Sequence, residues 1–166
     1  EQQAKAFFDA QAAHIEPILE KEKTGLSVAF FAVASDGTIT VRKPNDYVSS
    51  MIELAGGTYS LNGYVPEEEN ALSTLKMQME DFYAAEKDAD ILIYNGTIEG
   101  ELTSIDELVQ KNSLFADFKA VKTGQVYTTG SNFYQQTSGT CDFIEDLNKV
   151  LNGETDAEYR FLKKIN

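Results

Sequence analysis

Two stretches of the chain are apolar almost without interruption. Residues 26–34 read LSVAFFAVA, and residues 89–94 end in ILIY. A short run rich in β-branched and aromatic residues, with no alternation, is the pattern of a strand covered on both faces, as in the middle of a parallel sheet. Residues 38–42 (TITVR) alternate instead and follow the turn Ser35-Asp36-Gly37, so they read as a shorter second strand. Residues 58–61 and 125–128 are two further short strand candidates.

Between these runs the apolar spacing changes to that of helices. In residues 2–23, Phe8, Ala12, Ile15 and Leu19 recur at three and four. Pro17 falls inside this pattern and should kink or split the helix near Ile15 and Glu16, with Gly25 stopping it. Asp46 can cap a helix over residues 47–54 that turns Val48, Met51, Ile52 and Ala55 inward and ends at Gly56-Gly57. Residues 79–87 form a helix with Phe82 and Tyr83 inward. Ser104 with Glu107 makes a capping box for a helix reaching Lys111, and residues 114–118 add a helical turn. Residues 139–151 place Phe143, Ile144, Leu147, Val150 and Leu151 on one face, Gly153 stops that helix, and residues 157–164 read as a last one. Strands alternating with helices predict an α/β domain in three layers around a mainly parallel sheet. Ligands bind such sheets beyond the carboxyl ends of the strands. The informative segments are therefore residues 35–37, residues 95–99, and the stretch after Thr128.

Composition narrows the chemistry. Of the 166 residues, 42% are hydrophobic, including ten Phe and eight Tyr, which is enough for a packed core. Fourteen Lys and Arg against 27 Asp and Glu leave a net charge of −13. That charge repels phosphates and anionic lipid, so nucleic acid and membrane surfaces are not expected partners. One Cys and one His exclude a disulfide framework and a multi-histidine metal site within the chain. His14 reads as a solvated helix residue and Cys141 as a small buried hydrophobe. Glu67-Glu68-Glu69 reads as a solvated loop, since no spaced calcium-loop pattern accompanies it. No nucleophile elbow, phosphate loop or zinc helix is present, so an enzyme is not expected.

From residue 88 onward the chain carries an ordered set of motifs. Asp88-Ala89-Asp90-Ile91-Leu92-Ile93-Tyr94-Asn95-Gly96-Thr97-Ile98 comes first. Leu114-Phe115-Ala116-Asp117-Phe118-Lys119-Ala120-Val121-Lys122-Thr123-Gly124-Gln125-Val126-Tyr127 follows, and then Ser131-Asn132-Phe133-Tyr134-Gln135. With the earlier helix ending Leu54-Ala55-Gly56-Gly57, this set resembles the C-terminal lobe of ABC-transporter substrate-binding proteins for iron–siderophore, haem or cobalamin uptake. The resemblance spans residues 26–153. It implies a bilobal receptor whose two α/β lobes are bridged by a long helix and clamp a ligand between them. Residues 1–24 would be the end of the bridging helix and residues 25–166 the C-terminal lobe, with the first lobe and a signal or lipid anchor belonging to a chain upstream. It further implies a monomeric, extracytoplasmic protein, periplasmic or a cell-surface lipoprotein, that delivers its ligand to an ABC permease.

The site can be argued from the strand ends themselves. Tyr94, Asn95, Asn132, Phe133, Tyr134 and Gln135 gather aromatic and amide groups able to stack on a flat or chelated ligand and to hydrogen-bond its rim. Arg42 and Tyr47 join them if the second strand and its following helix line the cleft. There Arg42 would pair with the carboxylates or catecholates of an iron chelate, or else with a nearby acidic side chain. Met77 and Met79 fit either soft contacts to haem or the core. No metal ligand set and no resident cofactor is expected. The resemblance also implies acidic surface residues that dock on the permease, and places them among Asp106, Glu107 and Asp117. The competing reading is an α/β protein-interaction domain without a small-molecule ligand.

Overall fold

The computed structural model describes residues 2–65, 72–131, 133, 139–154 and 157–166, without the side chains of residues 2–5, 7 and 8. In chain order the elements are α1 (Gln2–Leu19), β1 (Ser27–Val33), β2 (Ile39–Arg42), α2 (Tyr47–Leu54), β3 (Thr58–Tyr59), β4 (Thr74–Met77), α3 (Met79–Glu86), β5 (Ile91–Tyr94) and α4 (Gly96–Glu99). They continue with α5 (Ile105–Lys111), a 3-10 helix (Ser113–Asp117), α6 (Lys119–Lys122), β6 (Val126–Thr129), α7 (Thr140–Leu151) and β7 (Leu162–Lys164). One sheet runs in the order β4-β2-β1-β5-β6-β7, with β3 also paired to β1.

The two apolar runs are neighbouring inner strands. Val28 to Phe31 of β1 lie opposite Ile91 to Tyr94 of β5 in parallel register, and β6 extends the parallel set on the far side of β5. β3 and β4 share the direction of β1, while β2 and β7 run against it. Both faces of this sheet are covered. On one, Phe30 meets Phe133, which packs on Phe143 of α7 with ring centres 4.4 Å apart. On the other, Phe31 stacks on Phe115 at 5.4 Å and touches Phe82 of α3 at 4.9 Å, and Phe118 closes the cluster. Every residue of β1 after Ser27 is buried, as unalternating hydrophobicity requires. The expected three-layer α/β fold is therefore the observed one.

Several local expectations are corrected. α1 runs through Pro17 unbroken, with the proline in its last turn and only two helical residues beyond it. Near its end α1 buries Ile18 (8% exposed), while Leu19 is 51% exposed. The run 95–97 is not a loop only: Asn95 caps the short α4. Residues 74–77 form a strand that sequence patterning did not show, and Met77 and Met79, at 4% exposure each, belong to the core. The last expected helix, 157–164, does not form: residues 157–161 have no regular structure, and residues 162–164 are β7, antiparallel to β6. Its conformation is set from outside. The buried Asp146 carboxylate of α7 accepts hydrogen bonds from the backbone N–H groups of Arg160 (2.9 Å), Phe161 (2.7 Å) and Leu162 (3.1 Å). Those three donors then cannot serve a helix, and the N–H of Ile165 goes to the Val126 carbonyl. Glu67, Glu68 and Glu69 lie outside the described residues.

α1 is tied down at both levels of α7. Cys141, buried at the start of α7, donates its thiol to the Gln11 carbonyl (3.4 Å), and burial pushes that thiol up from its ordinary range. His14 is not simply solvated: its Nε2 is 2.7 Å from Glu145. Further down, the Lys21 ammonium donates to the buried Asn148, whose amide donates to the Ala55 carbonyl behind α2. Gly56 follows in a left-handed conformation (φ 97°), and its carbonyl accepts from Thr24 and Gly25 just before β1.

Replacing Asp146 with Ala leaves several buried N–H groups without an acceptor. Each such loss costs on the order of 1–3 kcal/mol. Urea denaturation should show destabilisation of at least about 2 kcal/mol, and amide exchange should accelerate selectively at residues 162–165. Uniform acceleration across the sheet would mean that Asp146 does not hold β7 locally.

Candidate functional site

The carboxyl ends of β1, β5 and β6 open onto one edge of the sheet, where three segments meet. The first is the 34–38 turn, closed by the Ala34 N–H to the Thr38 carbonyl (2.8 Å). Asp36 stiffens it by accepting from both the Thr38 amide and hydroxyl, and those bonds hold its carboxyl below the usual range. The second is the 95–101 segment. The Asn95 side chain accepts from the Thr97 amide (3.2 Å) and hydroxyl (2.6 Å), which caps α4. The third follows β6, with the Ser131 N–H donating to Glu101 (3.2 Å).

The second and third segments are held together by a close approach at Gly96. Its N–H donates to the Thr129 hydroxyl at 3.0 Å. A Cβ built on Gly96 would stand 2.3 Å from the Thr129 carbonyl oxygen and 3.0 Å from the Glu101 Cα. Only glycine fits there. Gly96, Thr129 and the exposed Ile98 (68%) shape this edge, and none was singled out from the sequence. The Asn95-x-Thr97 pattern, a cap with its hydroxyl partner, was the available signal for α4.

The candidate site residues fall into separate groups. Asn95 lies at the edge, 6% exposed, with its side-chain oxygen engaged in the cap. Tyr94 is fully buried and points into the α5 side of the core, edge-on to Phe31 at 5.7 Å with the Lys111 ammonium 5.7 Å from its ring centre. Its hydroxyl has no hydrogen-bond partner among the described residues. Phe133 is a core residue between Phe30, Phe143 and Phe161. Asn132, Tyr134 and Gln135 lie outside the described residues.

Arg42 and Tyr47 stand apart from this edge. β2 runs back from the 34–38 turn, so Arg42 ends opposite Thr74, the first residue of β4, towards the other end of the sheet. Its Nε is 2.7 Å from the Asp46 carboxylate and its guanidinium reaches the Ser73 hydroxyl at 3.2 Å. The guanidinium carbon sits 4.7 Å from the Tyr47 ring centre. This is the acidic-partner arrangement that the sequence left open, with Tyr47 half exposed beside it.

The acidic residues also separate. Glu107 borders a groove of about 340 Å³ with Glu99, Glu101 and Lys111 next to the edge. Its carboxylate accepts from the Thr103 amide and hydroxyl, both at 2.7 Å, and these bonds hold it below the ordinary glutamate range. Asp106 is exposed on the same first turn of α5. Asp117 lies near the amino end of β5, in a hollow shared with Lys87, Asp88 and Lys119, and pairs with Lys122 at 3.2 Å. Among the described residues, His14, Asp142 and Glu145 form one cluster of possible metal-ligating atoms, but Asp142 is held by Arg160 and Glu145 by Lys149.

Comparison with known proteins places this fold. The family model for periplasmic binding proteins matches residues 1–133, and the chain belongs to that family, one of binding proteins rather than enzymes. Among solved structures, the TroA-like periplasmic binding protein FepB of Veillonella parvula superposes with a TM-score of 0.68 at 14% identity, over 100% of this chain and 57% of that one. A protein of the ABC-type Fe3+-hydroxamate transport system of Saccharomonospora viridis gives 0.68 at 17% identity, over 90% and 49%. The periplasmic heme-binding protein HutB of Vibrio cholerae gives 0.65 at 14%, over 93% and 57%. The chain thus spans about half the length of the structures it matches. No curated protein matches it.

Substituting Gly96 with Ala forces the start of α4 away from the end of β6. Overpacking of this kind costs typically 1–3 kcal/mol. Chemical denaturation should register that loss, together with faster amide exchange at Gly96 and Thr97. Unchanged stability would show that the Thr129 carbonyl can move aside freely.

Proposed function

We propose that this chain is the C-terminal lobe of a bilobal extracytoplasmic solute receptor that delivers an iron chelate, haem or cobalamin to an ABC permease. Residues 1–24 are the end of the bridging helix and residues 25–166 the lobe itself. The observation that carries this reading is the position of α1 against α7. The two helices run in the same direction, and Gln11 lies level with Cys141 at the start of α7, next to the candidate edge. The residues of α1 before Gln11 extend roughly 13 Å further at 1.5 Å per residue. They leave the lobe on the side of the strand ends, where a second lobe would close over a ligand.

The ligand class follows the proteins with this fold whose cargo is an Fe3+-hydroxamate or haem. A solute held at this edge meets the 34–38 turn, the capped α4 with its exposed Ile98, and the segment after Thr129. A clamp loses most of the ligand's water only when both lobes close, so one lobe supplies a fraction of the affinity. Asp117 and Glu107 are proposed permease contacts, on two different parts of the surface. Complementary charge at such points speeds encounter and sets orientation.

Calorimetry on the parent chain carrying both lobes should show one-to-one binding of a ferric hydroxamate, haemin or cobalamin. The 166-residue chain should bind the same compound at least about 100-fold more weakly. Equal affinity in both would remove the need for a second lobe, and no binding of any of the three would overturn the ligand class. In the same parent, Asp117→Lys should impair uptake with ligand affinity unchanged. Normal uptake would exclude Asp117 from the docking surface. Glu107→Lys tests the second point in the same way, after correction for the lost bonds to Thr103.

A further inference from the structure

Glu86 is the last residue of α3 and only 1% exposed, yet neither of its carboxylate oxygens has a hydrogen-bond partner among the described residues. The groups around it are already committed. The Tyr59 hydroxyl of β3 donates to the Arg42 carbonyl (2.6 Å), and the Ser60 hydroxyl donates to the Val28 carbonyl (2.9 Å). Arg42 of β2 pairs with Asp46 at the start of α2. Beyond α3, Lys87 pairs with Asp88, and Asp90 pairs with Lys119 of α6. Among the described residues no ion pair reaches Glu86, and the negative end of the α3 dipole lies on the same residue. A buried carboxylate in such surroundings is stabilised by neither pairing nor solvent, so the neutral acid is the form that fits.

We propose that Glu86 is a proton-operated latch between α3 and the sheet, closed while its carboxyl is neutral and loosened when it ionises. Burial raises this carboxyl from 4.5 to about 7, so the change falls in the neutral range. Between those two values the folded chain holds a proton that the unfolded chain has lost. Stability therefore falls as pH rises through that window and is level on either side of it.

The latch reaches the candidate edge through α3 itself. Met77 of β4 pairs with Ile39, so the amino end of α3 stands beside the 34–38 turn. Loosening the carboxyl end of the helix frees Phe82 from Phe31 and Phe118 and slackens one wall of that edge. The latch does not depend on the proposed ligand, and its test uses none.

Urea denaturation of the chain and of its Glu86→Gln variant, from pH 5 to pH 8, separates this carboxyl from the others. The unfolding constant of the native chain relative to the variant should rise by up to tenfold per pH unit until about neutrality, then level off. Carboxyl carbon NMR of the native chain should show Glu86 titrating near neutrality, a readout that stands even if the variant fails to fold. Parallel pH profiles for the two proteins, or a Glu86 resonance already ionised at pH 5, would overturn the proposal.

Discussion

The fold depends on burying β1 from both sides. Phe30 and Phe31 point to opposite faces of the sheet, and each needs a layer of its own. Fully burying one such side chain is worth roughly 1.5–3 kcal/mol. No single helical layer could cover both. The sequence answers with α7 and Phe143 on one face, and with α3, the 3-10 helix and their Phe82, Phe115 and Phe118 on the other. Once β1 is sandwiched, β5 gains the same two covers by lying beside it, because its own four residues are equally apolar.

That arrangement dictates where polar groups can go. Buried backbone must find partners, and side chains supply them where the ladder stops. Asp146 collects the N–H groups that lead into β7, and Asn148 joins Lys21 of the α1 exit to the Ala55 carbonyl. The Leu-Ala-Gly-Gly end of α2 belongs to the same knot. Gly56 turns the chain, and Gly57 lies so close to Leu151 that a Cβ would come within 3.1 Å of it. α1 and the segment after it are thus fastened to α7 and to the end of α2 rather than loosely attached.

The candidate edge is built from caps and turns whose polar atoms largely satisfy one another. Asn95 serves Thr97, Asp36 serves Thr38, and Glu101 serves Ser131. Such an edge is a shaped surface rather than a set of reaching side chains. This accords with the proposed clamp, which closes on its ligand from two sides. Among the described residues, the Glu86 carboxylate and the Tyr94 hydroxyl are buried without a hydrogen-bond partner.

Local sequence alone determined the three-layer α/β class, the double burial of the two apolar strands and the caps at Asp46 and Ser104, because each rests on a period or a side chain within a few residues. The ordered motifs from Asp88 to Gln135 carried the family. Other features were decided only by tertiary contact. Residues 162–164 became a strand because Asp146, far off in sequence, claims the preceding N–H groups. Tyr94, at the end of β5, points to a covered face of the sheet, and Phe133, beyond β6, packs among Phe30, Phe143 and Phe161, so the fold turns both into the core. Arg42 left the edge because β2 runs against β1, a direction that a short alternating strand does not reveal. Pairing direction and face are properties of the assembled sheet. They depend on which long-range contacts bury the most apolar surface, and no local pattern encodes that.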